Sequence, residues 1–171
     1  MKTRFFIFLV LSTLIFSSCD LNNESNNTPD IYFYSDPIVN GTKTLSKYLA
    51  DYGILKLDTI QVGDTVSFQM YFYAYSNNIT SINITQSTDS LTQLVFPKDS
   101  VYFLPTSDFE KGKLLATGTY SDLIIPFKYI AKKAALNAYL TFSVVSDAKF
   151  KDLSGENSRT VILKTPIVAA K

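Results

Sequence analysis

The sequence predicts an all-β protein, built as an antiparallel β-sandwich of about seven to nine strands with one short helix. Three observations support this prediction. Short stretches alternate between apolar and polar residues with a period of two, turn-forming residues separate these stretches, and a helical period occurs once after the N-terminal leader. Together they favour two packed sheets over a helical or mixed α/β architecture.

The clearest strand covers residues 65–75. One face carries Val66, Phe68, Met70, Phe72 and Ala74. The opposite face carries Thr65, Ser67, Gln69, Tyr71, Tyr73 and Tyr75. This alternation is typical of a strand with one face in the core, so the strand is predicted to be central in its sheet.

Shorter runs predict the remaining strands. They cover residues 31–34, 54–60, 79–86, 91–96, 101–104, 114–120, 123–129, 138–146 and 159–168. Pro126 has no N–H to donate to a neighbouring strand. The run that contains it is therefore predicted to be an edge strand or a bulged one.

The helical period lies in residues 44–52. Its apolar members are Leu45, Tyr48, Leu49 and Tyr52, spaced i, i+3, i+4 and i+7. Thr44 can cap the start of this helix and Gly53 its end. Because a helix of about two turns is marginal alone, we expect it to pack on a sheet.

Residues 62–68 read Val-Gly-Asp-Thr-Val-Ser-Phe. This segment resembles the start of the second strand in immunoglobulin-like domains of bacterial surface proteins. The resemblance implies an immunoglobulin-like sandwich. The cysteine and tryptophan residues that pin antibody domains are absent here, so the resemblance concerns general architecture only.

The first 18 residues have the features of a secretory signal peptide. Two basic residues precede the mostly apolar run of residues 5–16, and two small serines follow it. A bilayer span needs about 20 residues, and this run is shorter. We therefore expect residues 1–18 to be a cleaved leader rather than a transmembrane helix.

Phe16-Ser17-Ser18-Cys19, at the end of the leader, resembles the lipobox of bacterial lipoproteins. The resemblance implies that Cys19 carries acyl chains such as palmitate and becomes the mature N-terminus, with the membrane as its partner. A lone cysteine in an exported protein has no disulfide partner, which favours this interpretation. The alternative is an ordinary secreted protein.

Residues 19–30 are polar and predict a flexible tether, followed by one domain over residues 31–171. The asparagine-rich, tryptophan-free composition resembles lipoproteins of the Bacteroidota. In that group an acidic residue after the lipidated cysteine, such as Asp20, accompanies export. The resemblance implies an extracytoplasmic protein at the outer membrane or cell surface.

The composition excludes several kinds of active site. The chain has no histidine and only one cysteine, so Ser-His-Asp, Cys-His and the usual zinc sites cannot form. The net charge of +1 gives no indication of nucleic-acid binding. We therefore expect a non-enzymatic protein without a cofactor.

Two sets of loop acids are candidate chemical sites. One comprises Asp108, Glu110 and Asp122, and the other comprises Asp147, Asp152 and Glu156. The first could flank a glycosidic bond and the second could bind Ca²⁺, although its spacing differs from an EF-hand. Acids in polar loops are usually solvated, so neither a catalytic nor a metal site is predicted.

Tyr71, Tyr73 and Tyr75 form the predicted ligand face. An exposed row of aromatic rings could contact a glycan or a partner protein. The alternatives are a cross-strand aromatic ladder, or a face covered by the predicted helix.

Thr59, Thr65, Ser90 and Ser100 each follow an aspartate and precede an apolar residue. These triplets resemble the O-glycosylation signal of exported Bacteroidota proteins, which implies a sugar on these hydroxyls. The alternative is the ordinary preference for Asp-Ser and Asp-Thr at strand starts after turns.

The function expected from these features is that of a lipid-anchored, extracytoplasmic, non-enzymatic module that binds a glycan or a protein. A second expectation is a structural component of a surface assembly, such as a pilus or capsule-associated complex, joined by strand addition. A hydrolase is the third alternative and would need converging carboxylates in a cleft.

Overall fold

The computed structural model describes residues 27–45, 47–51, 53–88, 91–96, 101–150 and 156–171. Their secondary structure consists of fourteen β-strands, without a helix in these ranges. The strands are β1 (Asp30–Phe33), β2 (Ile38–Val39), β3 (Lys43–Thr44), β4 (Lys47–Asp51), β5 (Ile54–Leu57), β6 (Ile60–Gln61), β7 (Thr65–Tyr73), β8 (Ile79–Gln86), β9 (Thr92–Val95), β10 (Lys113–Leu115), β11 (Asp122–Ala131), β12 (Tyr139–Ser146), β13 (Ser158–Lys164) and β14 (Ile167–Val168). The predicted all-β class is confirmed, with more and shorter strands than expected.

Sheet A has six strands and is organised around β7. Its main order is β3-β2-β7-β11-β9, and β1 pairs with β7 on the same side as β2. All of these pairs are antiparallel. The prediction that residues 65–75 contain a central strand is confirmed.

Sheet B also has six strands, in the order β10-β8-β12-β13-β5-β4. The β13–β5 pair is parallel, and the small separate sheet formed by β14 and β6 is parallel as well. The sequence pattern predicts an antiparallel sandwich, so these two parallel pairs are an unpredicted feature.

The inner faces of the two sheets meet in one hydrophobic core. Phe142 of sheet B packs against Phe68 and Phe127 of sheet A, with ring centroids 6.2 and 5.2 Å apart. β7, β11 and β12 each alternate buried and more exposed residues along their length. Full burial of each large apolar side chain stabilises a fold by about 1.5 to 3 kcal/mol.

The helix predicted for residues 44–52 is wrong. The described part of this segment is extended: Lys47–Asp51 pairs antiparallel with Ile54–Leu57, and Gly53 turns the chain with a φ of 71°. A two-turn helix gains few backbone hydrogen bonds for its nucleation cost. Pairing with β5 gives the same residues a ladder along the edge of sheet B, and tertiary pairing outweighs the helical period.

Pro126 lies within β11 at a place where one side of the strand is open. β9 ends opposite Lys128, and no described strand pairs with Asp122–Phe127 on that side. The Ser121 carbonyl accepts from the Ala74 N–H on the β7 side, and the Lys132 N–H donates to the Leu91 carbonyl on the β9 side. Along β11, the backbone N–H and C=O groups of even-numbered residues therefore point away from β7. The missing N–H of Pro126 therefore falls on the open side. The predicted edge or bulged strand is instead an inner strand between β7 and β9, of which the half that contains Pro126 has one open side.

No helix in the described ranges is long and apolar enough to cross a membrane. The predicted leader, Cys19 and most of the predicted tether lie outside the described residues. The described chain begins with Asn27, and β1 begins at Asp30, one residue before the predicted domain start.

Candidate functional site

The outward face of sheet A brings four tyrosines together. Tyr71 and Tyr73 project from β7, Tyr75 follows this strand, and Tyr32 projects from β1 directly opposite Tyr71. We call Tyr32, Tyr71, Tyr73 and Tyr75 the tyrosine cluster. The predicted common face of the three β7-side tyrosines is present, and β1 adds a fourth ring.

The rings of the tyrosine cluster contact one another in series. The centroids of Tyr32 and Tyr71 lie 6.3 Å apart at an interplanar angle of 24°. Those of Tyr71 and Tyr73 lie 5.7 Å apart at 17°, and those of Tyr73 and Tyr75 lie 4.3 Å apart at 44°. Pairs of this kind contribute about 0.5 to 1.5 kcal/mol each beyond their buried area. The cluster is therefore also an aromatic ladder that stabilises sheet A.

The tyrosine cluster remains open to solvent. Tyr71, Tyr73 and Tyr75 are half-buried, and Tyr32 keeps 47% of its surface exposed. No described helix covers this face. Tyr71 and Tyr73 each have a neighbouring ring on both sides. The accessible parts of the cluster are therefore mainly ring edges, hydroxyl groups and the Tyr32 ring.

Two carboxylates flank the tyrosine cluster. Tyr73 lies in register between Asp30 on β1 and Asp122 on β11. The Tyr32 hydroxyl donates to Asp30 Oδ2 at 2.5 Å. This hydrogen bond is the main reason why the pKa of Tyr32 is raised, and burial and Tyr75 act in the same direction.

The pKa of Tyr71 is raised chiefly by partial burial and then by the negative charge of Asp122. Both shifts keep the phenol groups protonated far above neutral pH. The face thus presents neutral hydroxyl donors beside carboxylate acceptors, a combination suited to a ligand with many hydroxyl groups.

An open groove continues the same face beyond the tyrosine cluster. Its volume is about 480 Å³, within the usual size range of small-molecule sites. Residues of β2, β7, β9 and β11 line it, including Ile38, Ser67, Gln69, Val95, Pro126 and Lys128. The register Ile38–Ser67–Lys128–Val95 spans four neighbouring strands, so the apolar rims lie on either side of a polar centre.

Tyr32 and the groove were missed by the sequence analysis. Residues 31–34 were recognised as an aromatic strand, but a strand's pairing partner cannot be read from its own alternation. The signal that could have found Tyr32 is its place in the period-two series Asp30, Tyr32, Tyr34. The groove needs the register of four strands and had no signal in the sequence.

The loop acids do not converge. Asp108 accepts from the Lys111 backbone N–H at 3.1 Å, and Lys111 Nζ lies 3.1 Å from its other oxygen. The Lys111 contacts lower the pKa of Asp108. Glu110 lines a second cavity together with Lys132, which follows the C-terminal end of β11. Asp122 lies at the N-terminal end of β11, beside Tyr73.

Asp147 has a structural role in the described residues. Its carboxylate accepts from the backbone N–H of Asn78 at 2.7 Å and from the Asn78 side chain at 3.0 Å. Asp152, the second residue of the calcium set, lies outside the described ranges. No group of three or more acidic, histidine or cysteine residues within those ranges could hold a metal ion.

The four predicted O-glycosylation sites divide into two groups. Thr59 is exposed between β5 and β6, and Thr65 is half-buried at the start of β7. Ser90 and Ser100 lie outside the described residues. Modification at all four positions stays a prediction.

Comparisons with known proteins add little to this description. The sequence matches no protein-family model and no curated protein. Solved structures that match this chain in part include a DUF4466 family protein from Parabacteroides merdae, with 10% identity, a TM-score of 0.47, and coverage of 83% of this chain and 45% of that one.

Two further structures are similar at the same level. The secreted serine protease VesC from Vibrio cholerae has 14% identity and a TM-score of 0.41, over 74% of this chain and 24% of that one. A family 123 glycoside hydrolase from Clostridium perfringens has 10% identity and a TM-score of 0.42, over 84% and 28%. The chain spans less than half the length of each neighbour, and similarities this weak assign neither a family nor an activity.

Proposed function

We propose that this chain is a lipid-anchored, extracytoplasmic, non-enzymatic glycan-binding module with an immunoglobulin-like β-sandwich. The observation that carries the proposal is the outward face of sheet A, where a partly exposed tyrosine cluster adjoins an open groove. The lipid on Cys19 would hold the module at the membrane, and residues 19–30 would give it reach.

A glycan fits this face because a sugar presents both C–H surfaces and hydroxyl groups. Tyr32 offers an exposed ring for the C–H surface, and Asp30 and Asp122 offer acceptors for hydroxyl groups. Ser67 and Gln69 continue the polar line into the groove. This mixture of rings, carboxylates and amides favours a sugar over the more apolar contact surface of a stable protein partner.

Glycan binding can be tested with the full-length chain purified in detergent. A printed array of neutral and acidic oligosaccharides would identify a ligand, and calorimetric titration would give its Kd. Loss of one aromatic contact of about 0.5 to 1.5 kcal/mol corresponds to a twofold to tenfold weaker Kd. We expect this loss for both Tyr32→Ala and Tyr73→Ala.

Tyr139→Ala is the matched control, because Tyr139 is 39% exposed on sheet B, away from the tyrosine cluster. It should bind like the unmodified protein. Circular dichroism would show that each variant keeps its β-structure. The proposal fails if the array shows no ligand, or if Tyr139→Ala weakens binding as much as the cluster variants do.

Strand addition is the second proposal, and it has one specific observation in its favour. The Asp122–Phe127 half of β11 has no second strand partner among the described residues. Pro126 removes one donor from this open side, which shortens the edge that a partner strand could use. We place strand addition after glycan binding for this reason.

A further inference from the structure

A second cavity lies between the two sheets, away from the tyrosine cluster. Its volume is about 860 Å³, and strands β8 and β9 form its walls together with the turn before β10. Its lining includes Thr85, Gln86, Thr92, Gln93, Glu110 and Lys132. We call this cavity the polar cleft.

The wall of the polar cleft is fixed by hydrogen bonds that join β8 to β9 and to the turn before β10. The Gln86 side chain of β8 accepts from the Thr92 N–H at 2.7 Å and donates to the Thr92 carbonyl at 3.0 Å. Ile84 donates to the Gly112 carbonyl at 2.8 Å. A Cβ on Gly112 would overlap the Ile84 carbonyl oxygen, so the turn approaches β8 as closely as a backbone can. The cleft is therefore a preformed cavity.

Thr92 supplies an unexplained polar group in this wall. The residue is 5% exposed, and its hydroxyl has no hydrogen-bond partner within the described part of the chain. A buried hydroxyl without a partner costs free energy, so such groups call for a physical reason. A ligand in the cleft would supply that reason if the Thr92 side chain rotates so that its hydroxyl turns towards the cavity that the residue lines.

The charged groups of the cleft indicate the charge of the ligand. Lys111 is held by Asp108, as described above, which leaves Lys132 and Glu110 as the other charged side chains in the lining. Lys132 makes no ion pair with any described residue. Its ammonium group can bind a carboxylate, while Glu110, Thr85 and Gln93 can bind hydroxyl groups.

We propose that the polar cleft binds a small monocarboxylate that carries hydroxyl groups, such as a sugar acid. Lys132 pairs with the carboxylate, Thr92 hydrogen-bonds to the ligand, and Glu110 accepts from a hydroxyl group. One ammonium group without an ion pair to any described residue matches one negative charge better than the two charges of a phosphate. The site is independent of the glycan site on sheet A, which lies on the outward face.

The test uses D-glucuronate as the probe and the full-length chain in detergent. Isothermal titration should detect glucuronate binding. D-glucose, which lacks the carboxylate, and acetate, which lacks the hydroxyl groups, should each bind at least tenfold more weakly. A hydrogen bond to a charged group is worth about 1.5 to 3 kcal/mol, so Lys132→Gln should weaken binding at least tenfold. Lys133→Gln is the matched control, since Lys133 is the adjacent exposed lysine and does not line the cleft.

Thr92→Val gives a second readout that does not depend on charge. Removing an unpartnered buried hydroxyl at constant shape should raise the Tm of the ligand-free protein. The same change should reduce the rise in Tm that glucuronate causes. If the Thr92 hydroxyl has a structural role instead, Thr92→Val should have a lower Tm than the unmodified protein in the absence of ligand.

Three results would overturn the inference. The first is no binding of glucuronate up to roughly 10 mM, tenfold above a Kd of about 1 mM. The second is equal loss of binding in Lys132→Gln and Lys133→Gln. The third is equal binding of glucuronate and acetate. Tyr73→Ala should leave glucuronate binding unchanged. If Tyr73→Ala abolishes glucuronate binding, the ligand binds on sheet A and the polar-cleft inference fails while the glycan proposal stands.

Discussion

Tyr129 shows how a single polar group is accommodated in the core. The side chain is fully buried, and its ring packs on those of Phe68 and Phe127 at centroid distances of 6.4 and 6.0 Å. Its hydroxyl lies 2.7 Å from the hydroxyl of Thr165, which is also fully buried. Burial raises the pKa of Tyr129, so the hydroxyl stays protonated and available for this hydrogen bond. The pair ties β11 to the segment that precedes β14.

A double-mutant cycle on this pair should give a clear coupling energy. Tyr129→Phe leaves the Thr165 hydroxyl buried without its partner, and we expect a loss of about 1 to 2 kcal/mol in the free energy of unfolding. Thr165→Val should cost a similar amount. The double variant should lose less than the sum of the two, because replacing both partners leaves no unsatisfied group. Chemical denaturation measures all four proteins, and strictly additive losses would contradict this interpretation.

At the scale of elements, the sequence predicts what lies within a strand better than what lies between strands. The alternation in residues 65–75 identified both faces of β7 because side chains change sides at every residue. The 44–52 segment was misread because its i, i+3, i+4, i+7 spacing fits a helix better than the period of two expected for a strand. Only the pairing of Lys47–Asp51 with β5 decides between them, and pairing is a contact between distant residues.

The candidate site shows the same division. That Tyr71 and Tyr73 share a face follows from spacing alone. That Tyr32 faces Tyr71, and that Asp30 and Asp122 flank Tyr73, depends on the registers of β1 and β11 against β7. The polar cleft depends on the distance between β8 and β9, which belong to different sheets. Neither register nor sheet separation could be derived from local pattern.

The junction of β8 and β12 should make stability depend on acid pH through Asp147. The backbone hydrogen bond from Asn78 is the main cause that lowers the pKa of Asp147. A carboxyl group whose pKa is lower in the folded state stabilises the fold fully above its unfolded pKa, near 3.9. This contribution declines as the pH falls below about 5 and disappears once the folded group is protonated.

Asp147→Asn is the variant that tests this contribution. Because Asp147 is exposed, we expect the variant to be less stable by less than about 1 kcal/mol at pH 7, with the difference vanishing towards pH 2. Thermal unfolding across this pH range measures it. Lys149→Gln should show a smaller change, since Lys149 is a minor cause of the lowered pKa of Asp147. A stability difference that stays constant with pH would show that charge plays no part.

At the scale of the whole molecule, segments near both ends of the described chain contact strands from elsewhere in the sequence. β13 and β14, near the C-terminus, pair in parallel with β5 and β6. At the N-terminal side, Thr28 accepts from the Glu156 backbone N–H at 3.2 Å, and Asp30 Oδ1 lies 3.9 Å from Arg159 Nε. The described chain is therefore fixed to the fold from Thr28 onward. The tether predicted for residues 19–30 is therefore limited to residues before Thr28.

A Cys19→Ser variant should test the predicted lipid anchor. In a bacterium grown with tritiated palmitate, the unmodified protein should carry label and sediment with membranes, and Cys19→Ser should lose both properties. Ser18→Ala keeps a small residue before the cysteine and should retain the label. The Tm of Cys19→Ser should match that of the unmodified protein in detergent, because Cys19 lies nine positions before Thr28, which is held by Glu156. If the unmodified protein carries no label and Cys19→Ser fractionates identically, the leader is an ordinary signal peptide, and the glycan site would then act in a secreted protein.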